Sequence, residues 1–292
     1  MEHAWQTLAN GLVIGALYAL MAVGLSLVYG VMRVVNITHG DLAMLGGYLT
    51  YFLWEWVGIS PPLALLPVMA AMFGVGVLLQ RAVIERVVGK PMLASLMLTF
   101  GLSALMWNTA EAVFTTRVRG IHYLTAPVTL AGVSMSGSYL AGFGLAVVLT
   151  VGLFAFLRYT LWGKAVRATA QNPDVAMSCG IDTARVRAVA FGLGAALAAA
   201  AGNIIAMTSF IFPAMGFLYL AKAFTIVVLG GLGSPTGALA AAFLYGLLES
   251  AGTQVLSPRV AHALPFVILV LTLMLRPSGL FGARWERVAL EG

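Results

Sequence analysis

Residues 158–187, RYTLWGKAVRATAQNPDVAMSCGIDTARVR, form a long polar stretch between two strongly apolar segments. Five basic side chains in this stretch stand against only two acidic ones, Asp174 and Asp182. Basic loops between membrane spans are retained in the cytoplasm, so we expect this segment on that side. Its runs 163–168 and 174–181 are typical of short helices that lie along a membrane face, where a cytoplasmic partner can dock.

The composition is that of a membrane protein. Hydrophobic residues make up 61% of the chain and charged residues only 9%, whereas a soluble domain has about 25% charged residues. We therefore predict an all-α, polytopic transmembrane helix bundle, because helices satisfy their own backbone hydrogen bonds in lipid. The net charge of +6 is spread over loop ends, which argues against a nucleic-acid partner. The single cysteine, Cys179, excludes an internal disulfide, and we expect no metal centre.

The apolar segments predict nine spans, within a range of about eight to ten. They are residues 8–32, 41–57, 62–80, 92–113, 139–157, 188–209, 217–231, 237–251 and 260–275. The first segment is longer than a signal-peptide core, so we interpret it as a retained helix. The second, seventh, eighth and ninth are short for a hydrocarbon layer about 30 Å thick. These four are either buried in the bundle or do not cross it fully.

Alternation of the nine spans places the N-terminus outside and the C-terminus inside. Twelve basic residues then lie on the inner side, and four on the outer side. This excess agrees with the positive-inside rule. The inner group comprises Arg33, Arg81, Arg86, Lys90, Arg158, Lys164, Arg167, Arg185, Arg187, Arg276, Arg284 and Arg287, and the outer group Arg117, Arg119, Lys222 and Arg259.

The chain is predicted to be one permease-like domain, 1–292, built from an inverted repeat. Residues 1–113 form the first repeat, 139–157 a linking helix and 188–275 the second repeat, with 158–187 as a cytoplasmic loop. Each repeat has a long apolar span, a turn marked by glycine and a shorter span. The predicted topology puts the first turn, His39-Gly40, inside and the second, Met215-Gly216, outside. Transporters with inverted repeats carry substrate at the repeat interface; the alternative is a chance similarity between two glycine-containing turns.

Several residues are candidates for a substrate route. His39-Gly40-Asp41 opens the second span, where Asp41 either caps a helix at the cytoplasmic edge or lines a gate. Met215 and Gly216 hold the corresponding position in the second repeat. Residues 230–237, GGLGSPTG, break the chain between spans seven and eight. Their glycines Gly230, Gly231 and Gly233 form either a tight turn or a broken-helix element that lines the route.

No enzyme signature is present, since the chain has no HExxH, GxSxG or Walker motif. The remaining ionisable residues near apolar spans are Glu111, Lys222 and Glu249, which we place at outer helix ends. A proton-driven carrier is expected to keep such groups deep in the membrane. Their absence there favours a transporter whose energy comes from a partner over a stand-alone secondary transporter. A polytopic membrane enzyme is disfavoured for lack of a nucleophile, base and metal set.

Four segments in order resemble the permeases of bacterial branched-chain amino acid ABC importers, close to the smaller of their two permease types. They are 36–41 (NITHGD), 163–168 (GKAVRA) with 180–181 (GI), 228–234 (VLGGLGS) and 276–282 (RPSGLFG). Asp174-Val175-Ala176 followed by Gly180 is also similar to the Glu-Ala-Ala-x-x-x-Gly loop by which many ABC permeases dock their ATPase. Asp174 and Val175 depart from that pattern, and Ile37 stands where the family often has an aromatic residue.

The resemblance implies an inner-membrane permease that imports branched-chain or related amino acids, or similar small polar solutes such as amides and urea. It implies a second permease, two cytoplasmic ATPase subunits and a periplasmic binding protein as partners. No cofactor is expected in this chain, because ATP-Mg binds the partner ATPases. The residues expected to couple to the ATPase are Gly163, Arg167, Asp174, Ala176, Gly180 and Ile181.

Overall fold

The computed structural model describes residues 2–130, 132–256, 258–276 and 279–280. Helices dominate this part of the chain, joined by a 3-10 turn at Ile84–Val87 and one antiparallel hairpin. The hairpin strands are β1 (Pro127–Leu130) and β2 (Val133–Ser136). The helices are α1 (Glu2–Met32), α2 (His39–Val57), α3 (Pro61–Ala82), α4 (Met92–Phe114), α5 (Gly137–Tyr159), α6 (Leu161–Gln171), α7 (Pro173–Ser178), α8 (Thr183–Thr208), α9 (Met215–Gly230), α10 (Pro235–Val255) and α11 (Pro258–Leu275).

The predicted all-α helix bundle is confirmed, and each of the nine predicted spans corresponds to one helix. Among the described residues, α1, α3, α4, α5 and α8 are long and apolar enough to cross a membrane singly. Helices α9 and α10 meet that requirement only together, and the chain bends by 117° between them. The count of nine spans stays a prediction. The hairpin of β1 and β2 was not predicted, because each strand has only four residues and gives a weak pattern in the sequence.

The helices of the two halves pack in reciprocal pairs. Helix α1 of the first half packs most extensively on α10 of the second, and α8 of the second half packs on α3 of the first. Helices α1 and α8 also contact each other, as do α2 and α9. This exchange is the pairing that an inverted repeat requires, although the opposite orientation of the halves stays a prediction.

Glycine and alanine make the centre of the bundle close-packed. A Cβ atom added at Gly76 would lie 2.7 Å from the Cβ of Ala195, and one at Gly15 would lie 2.9 Å from the Cα of Phe243. Large side chains at these positions would push α3 from α8 and α1 from α10. Small residues let neighbouring helices approach closely in this way, as the composition of α8 predicted.

Segments predicted on one side of the membrane gather at one end of the molecule. At the end predicted to be outside, Gln6 bonds Ser134 at 3.0 Å, and the backbones of Arg119 and Ile211 pair. At the other end, Arg187 at the start of α8 forms an ion pair with Glu85. The relative placement of these segments therefore agrees with the predicted topology. Arg284 and Arg287 lie outside the described residues.

Candidate functional site

The two predicted glycine turns meet at the start of α2 and α9. A Cβ atom added at Gly216 would lie 3.0 Å from the carbonyl carbon and oxygen of Gly40, and one at Gly40 would lie 2.9 Å from the Cβ of Leu220. The two backbones are therefore in contact. The prediction that one turn lies at the inner edge and the other at the outer edge is wrong, because touching residues share one depth.

The connectors that precede α2 and α9 explain this depth. After α1 ends, residues 33–38 are non-helical, and Val34, Val35 and Asn36 are buried at 2%, 6% and 1% exposure. These residues run back into the bundle before α2 begins at His39. Residues 209–214 make the corresponding connection to α9. Helices α2 and α9 are short for a membrane span because they start inside the protein.

Asp41 lies deep in the bundle rather than at its edge. It is 4% exposed, and its Oδ2 accepts a hydrogen bond of 2.5 Å from the hydroxyl of Ser103. Ser103 stands midway along α4, one of the helices long enough to span a membrane. The interpretation of Asp41 as a cap at the cytoplasmic edge is therefore wrong. Ionisable groups held at this depth are rare and mark functional sites.

A large cavity opens beside Asp41. It measures about 740 Å³, within the usual range of small-molecule sites, and lies between the starts of α2 and α9 and the helices α4 and α11. Asn36, Asp41 and Ser103 are polar groups on its wall. Most of the remaining wall is apolar, as shown by Phe100, Trp107, Phe217, Leu220, Phe224 and Phe266.

His39 and Met215, two predicted route residues, are packed behind this wall. Both are fully buried, and the ring Nε2 of His39 lies 3.1 Å from the carbonyl oxygen of Met21. Neither side chain is among those lining the cavity beside Asp41. They hold the start of α2 and α9 against the core, so any effect on a route would be through packing.

The glycines of residues 230–237 lie at the opposite end of α9 from Gly216. Gly231 and Gly233 have φ angles of 92° and 78°, which favour glycine. They allow the four-residue turn that reverses the chain between α9 and α10. Gly230 packs against this turn, since a Cβ there would lie 2.6 Å from the backbone of Gly237. The geometry is that of the predicted tight turn, and the structure does not bring these glycines together with Asp41.

A second cavity of about 360 Å³ lies at this end of the molecule, where Gly233 faces Arg33 and Arg167. The 276–282 motif also reaches the turn, because the backbone N–H of Leu280 donates to the carbonyl of Leu229 at 2.7 Å. Residues 277, 278, 281 and 282 of that motif lie outside the described residues.

Lys222 and Glu249 form a buried ion pair, not the exposed helix-end charges that we expected. Their Nζ and Oε1 atoms are 2.7 Å apart, and the side chains are only 16% and 6% exposed. Lys222 also donates a 2.6 Å hydrogen bond to the hydroxyl of Tyr18 on α1. The pair thus joins α9 to α10 and α1. The inference that the bundle lacks deep ionisable groups fails for Asp41, whereas this pair is buried toward the end predicted to be outside, where the neighbouring Ser250 bonds the carbonyl of Thr7.

The loop predicted to be cytoplasmic contains the two short helices that the sequence predicted, α6 and α7. Asn172 caps α7 by accepting hydrogen bonds from the N–H groups of residues 174 and 175, and Asp182 caps α8 through the N–H of Arg185. Gly180 has a φ of 82°, and no atom lies within 4 Å of a Cβ built on it. Its conformation, rather than crowding, requires glycine.

Part of the loop is anchored and part is exposed. Ala176 is 3% exposed, and its carbonyl accepts the N–H of Ile181 at 3.1 Å. Gly163 is packed closely on the backbone of Leu157 in α5. Arg167 and Asp174 are exposed at the surface. Large apolar side chains are also exposed in this loop, namely Leu161 at 80%, Trp162 at 48%, Val175 at 59% and Met177 at 52%.

Such an exposed apolar surface marks an interaction site. In the sequence, Asn36 stood out only as part of a motif, and Ser103 and Trp162 did not stand out at all. The apolar neighbours Val34 and Val35 were the available signal that the connector is buried.

Comparison with known proteins identifies the family. Residues 7–273 match the model of the branched-chain amino acid transport system / permease component. The high-affinity branched-chain amino acid transport system permease protein BraD of Pseudomonas aeruginosa is 32% identical over 300 residues, which cover 96% of each chain. The corresponding protein LivH of Escherichia coli K12 is 32% identical over 299 residues and 95% of each chain.

A probable LivH permease of Methanocaldococcus jannaschii is 28% identical over 294 residues, covering 96% of this chain and 93% of the relative. No solved structure matches the chain. The chain belongs to the family of branched-chain amino acid transport permeases and is a multi-pass membrane protein. It is a transport component rather than an enzyme.

Proposed function

We propose that this chain is a translocation subunit of an ATP-driven importer that carries branched-chain or related amino acids across the inner membrane. The relationship to amino acid permeases along nearly the whole chain is the observation that carries this proposal. A second permease subunit, two cytoplasmic ATPases and a periplasmic binding protein complete the importer. This chain holds no cofactor, and ATP-Mg binds the ATPase partners.

The loop of α6 and α7 is the proposed docking surface for an ATPase. Its exposed apolar residues supply contact area, while Arg167 and Asp174 at the rim set the orientation of the partner. Gly180 and the cap of α7 fix the shape of the loop. Because the loop continues directly into α8, a displacement at the ATPase passes into the centre of the bundle. The loop is cytoplasmic in this proposal, with the N-terminus in the periplasm and the C-terminus in the cytoplasm.

The cavity beside Asp41 is the proposed wall of the substrate route. Phe100, Phe217 and Phe266 are 63%, 66% and 42% exposed on its rim. We infer that the second permease subunit covers this apolar rim and that the two subunits enclose the route. The contact of Gly40 with Gly216 then places both repeats at the route, as inverted-repeat transporters require.

The alternative is a secondary transporter that works alone. The deep carboxylate of Asp41 and the buried Lys222–Glu249 pair favour it, because proton-coupled carriers keep ionisable groups inside the membrane. The exposed apolar surface of α6 and α7 favours the importer, because it offers a partner a contact area that a transporter working alone does not need.

Reconstitution in liposomes separates the two functions. We expect leucine uptake by the assembled transporter to need ATP and the binding protein, and to continue when an uncoupler removes the proton gradient. Uptake by this chain alone, driven by a proton gradient and abolished by the uncoupler, would establish the secondary transporter instead.

A further inference from the structure

One corner of the cavity beside Asp41 presents a buried hydrogen-bond donor with nothing to bind. The side-chain oxygen of Asn36 accepts hydrogen bonds from the N–H and the hydroxyl of Thr38, at 3.1 and 2.6 Å. Asn36 is 1% exposed, and its Nδ2 has no hydrogen-bond partner among the described residues. A buried donor left unpaired costs free energy, so this amide gains from any acceptor that enters the cavity.

Two helix N-termini converge on the same corner. Ile37 at the start of α2, and Pro213 and Ala214 at the start of α9, line the cavity beside Asn36. Neither helix has a side-chain cap: Thr38 and Ala214 occupy the cap positions and make no capping hydrogen bond. The N-terminus of a helix carries a partial positive charge and backbone donors. Together with the Asn36 amide, these ends form a setting for a carboxylate.

The carboxylate of Asp41 belongs to the first turn of α2. It accepts from Ser103 and lines the same cavity. A cationic group beside Asp41 and an anionic group beside Asn36 would therefore be only a few ångströms apart. The wall beyond them is apolar, with Leu220 and Phe224 next to the polar corner.

We propose that this corner is the head-group subsite for an apolar α-amino acid in its zwitterionic form. Asp41 binds the α-ammonium group, and the Asn36 amide with the starts of α2 and α9 binds the α-carboxylate. The apolar wall of the cavity receives the side chain. This subsite rests on the proposed function, and it names the part of the route that recognises the substrate.

The two charged ends distinguish this subsite from simpler occupants. A lone cation would use Asp41 but would leave the Asn36 donor unpaired beside it. An apolar molecule would use the wall and neither polar group. A fatty acid would use the Asn36 end and would be repelled by Asp41. A zwitterion with an apolar side chain uses every group described.

A local probe tests binding at the permease without the binding protein. Ala104 lines the same cavity, so Ala104→Cys on a Cys179→Ser background reports its occupancy. The full transporter, with its ATPases and second permease, is reconstituted in liposomes. The rate of cysteine modification by a thiol reagent is measured against leucine concentration. We expect leucine to protect the cysteine in this background.

Two isosteric variants and one control then test the assignment. Asn36→Asp keeps the oxygen that holds Thr38 but removes the free donor and adds a repelling charge. Asp41→Asn removes the charge that attracts the ammonium group. We expect each to weaken leucine protection about tenfold or more, the usual effect of losing a hydrogen bond to a charged group. Asn10→Asp makes the same exchange on α1 at a residue that does not line this cavity, so it should leave protection within about threefold.

Two leucine analogues separate the ends of the subsite. Leucinamide keeps the ammonium group without the carboxylate, so its protection should fall with Asp41→Asn and not with Asn36→Asp. For 4-methylpentanoate, which has only the carboxylate, we expect no loss with Asp41→Asn. Equal protection by leucine in all variants, or protection by the alkane 2-methylpentane equal to that by leucine, would overturn the subsite.

ATP-driven leucine uptake is measured in the same liposomes with the binding protein added. If leucine uptake is normal but protection of the cysteine in Ala104→Cys does not depend on the head group of the ligand, the subsite is refuted and the proposed function stands. Absence of both uptake and substrate-stimulated ATP hydrolysis would refute the proposed function as well.

Discussion

Gly40 at the start of α2 contacts Gly216 at the start of α9, so the short helices of both halves begin at one point inside the bundle. Neither backbone can withdraw easily, because α2 also packs on the long helix α8 and α9 packs on the long helix α1. The crossing therefore fixes the position of the cavity wall that carries Asp41.

Enlarging either glycine should disturb this wall. Gly40→Leu would place side-chain atoms where the backbone of Gly216 lies, and overpacking of a tight core costs about 1–3 kcal/mol. We expect an inserted protein with strongly reduced uptake, measured in membrane vesicles against the amount of protein in the membrane. Gly74→Leu on α3 is the control, because no atom lies within 4 Å of a Cβ at Gly74. Wild-type uptake by Gly40→Leu would show that the crossing has no part in transport.

The backbone of Gly180 gives a sharp test of the docking loop. Gly180→Val adds no clash with other residues but forces valine into a φ of 82°, at a cost of about 1–3 kcal/mol. We expect loss of uptake and of co-purification with the ATPase, while the binding protein still associates. Gly132→Val introduces the same strain, since Gly132 also has a φ of 82° and open surroundings, but in the hairpin of β1 and β2.

The strain at Gly132 should leave ATPase binding unchanged. Gly180→Asn is a milder variant that tolerates positive φ and should keep part of the activity. Normal substrate-stimulated ATP hydrolysis in Gly180→Val would show that the loop is only a connector.

The stability of the protein should depend on Lys222 and Glu249 together rather than on either residue alone. Lys222→Met removes one partner of a buried pair, which typically costs about 3–5 kcal/mol. We expect a marked fall in the thermal stability of the purified protein. The double variant Lys222→Met with Glu249→Gln should recover most of that loss, because no buried charge lacks its counterion. Additive losses in the two single variants and the double variant would mean that the pair contributes no coupling.

Accessibility to labels tests which way the protein faces. Arg167→Cys in α6 and Ser134→Cys in β2 lie at opposite ends of the molecule and are both exposed. On a Cys179→Ser background, a membrane-impermeant thiol reagent added to whole cells with a permeable outer membrane should label Ser134→Cys only. Labelling of Arg167→Cys alone would reverse the proposed orientation.

Local patterns predicted the long helices and the two short helices α6 and α7 well. Apolar runs located nine helices to within a few residues, because a membrane helix is encoded by its own composition. The turn at Gly180 was predicted, while the caps formed by Asn172 and Asp182 were not, although each acts on backbone groups only two or three residues away.

The depth of a residue in the bundle and the pairing of residues on different helices could not be predicted from local patterns. The connector 33–38 is as short as an ordinary loop, and only the tertiary fold shows that it returns into the bundle. Lys222 and Glu249 are 27 positions apart and on different helices. Their pairing depends on the 117° bend between α9 and α10. Asn36 and Ser103 likewise line one cavity only because the fold brings α2, α4 and α9 together.

Helix α8 works as a single rod between the two ends of the molecule. It starts at the Asp182 cap beside the docking loop and runs without interruption to Thr208, a length of about 39 Å at 1.5 Å per residue. Helices α1, α2, α3 and α5 pack on it, and it contains no proline at which it would kink. A tilt imposed at the end beside the loop would therefore reappear at its far end, where the connector to α9 begins. Rotation of α8 as a rigid body, rather than a local change in its folding, would then determine when the mouth of the cavity opens and closes.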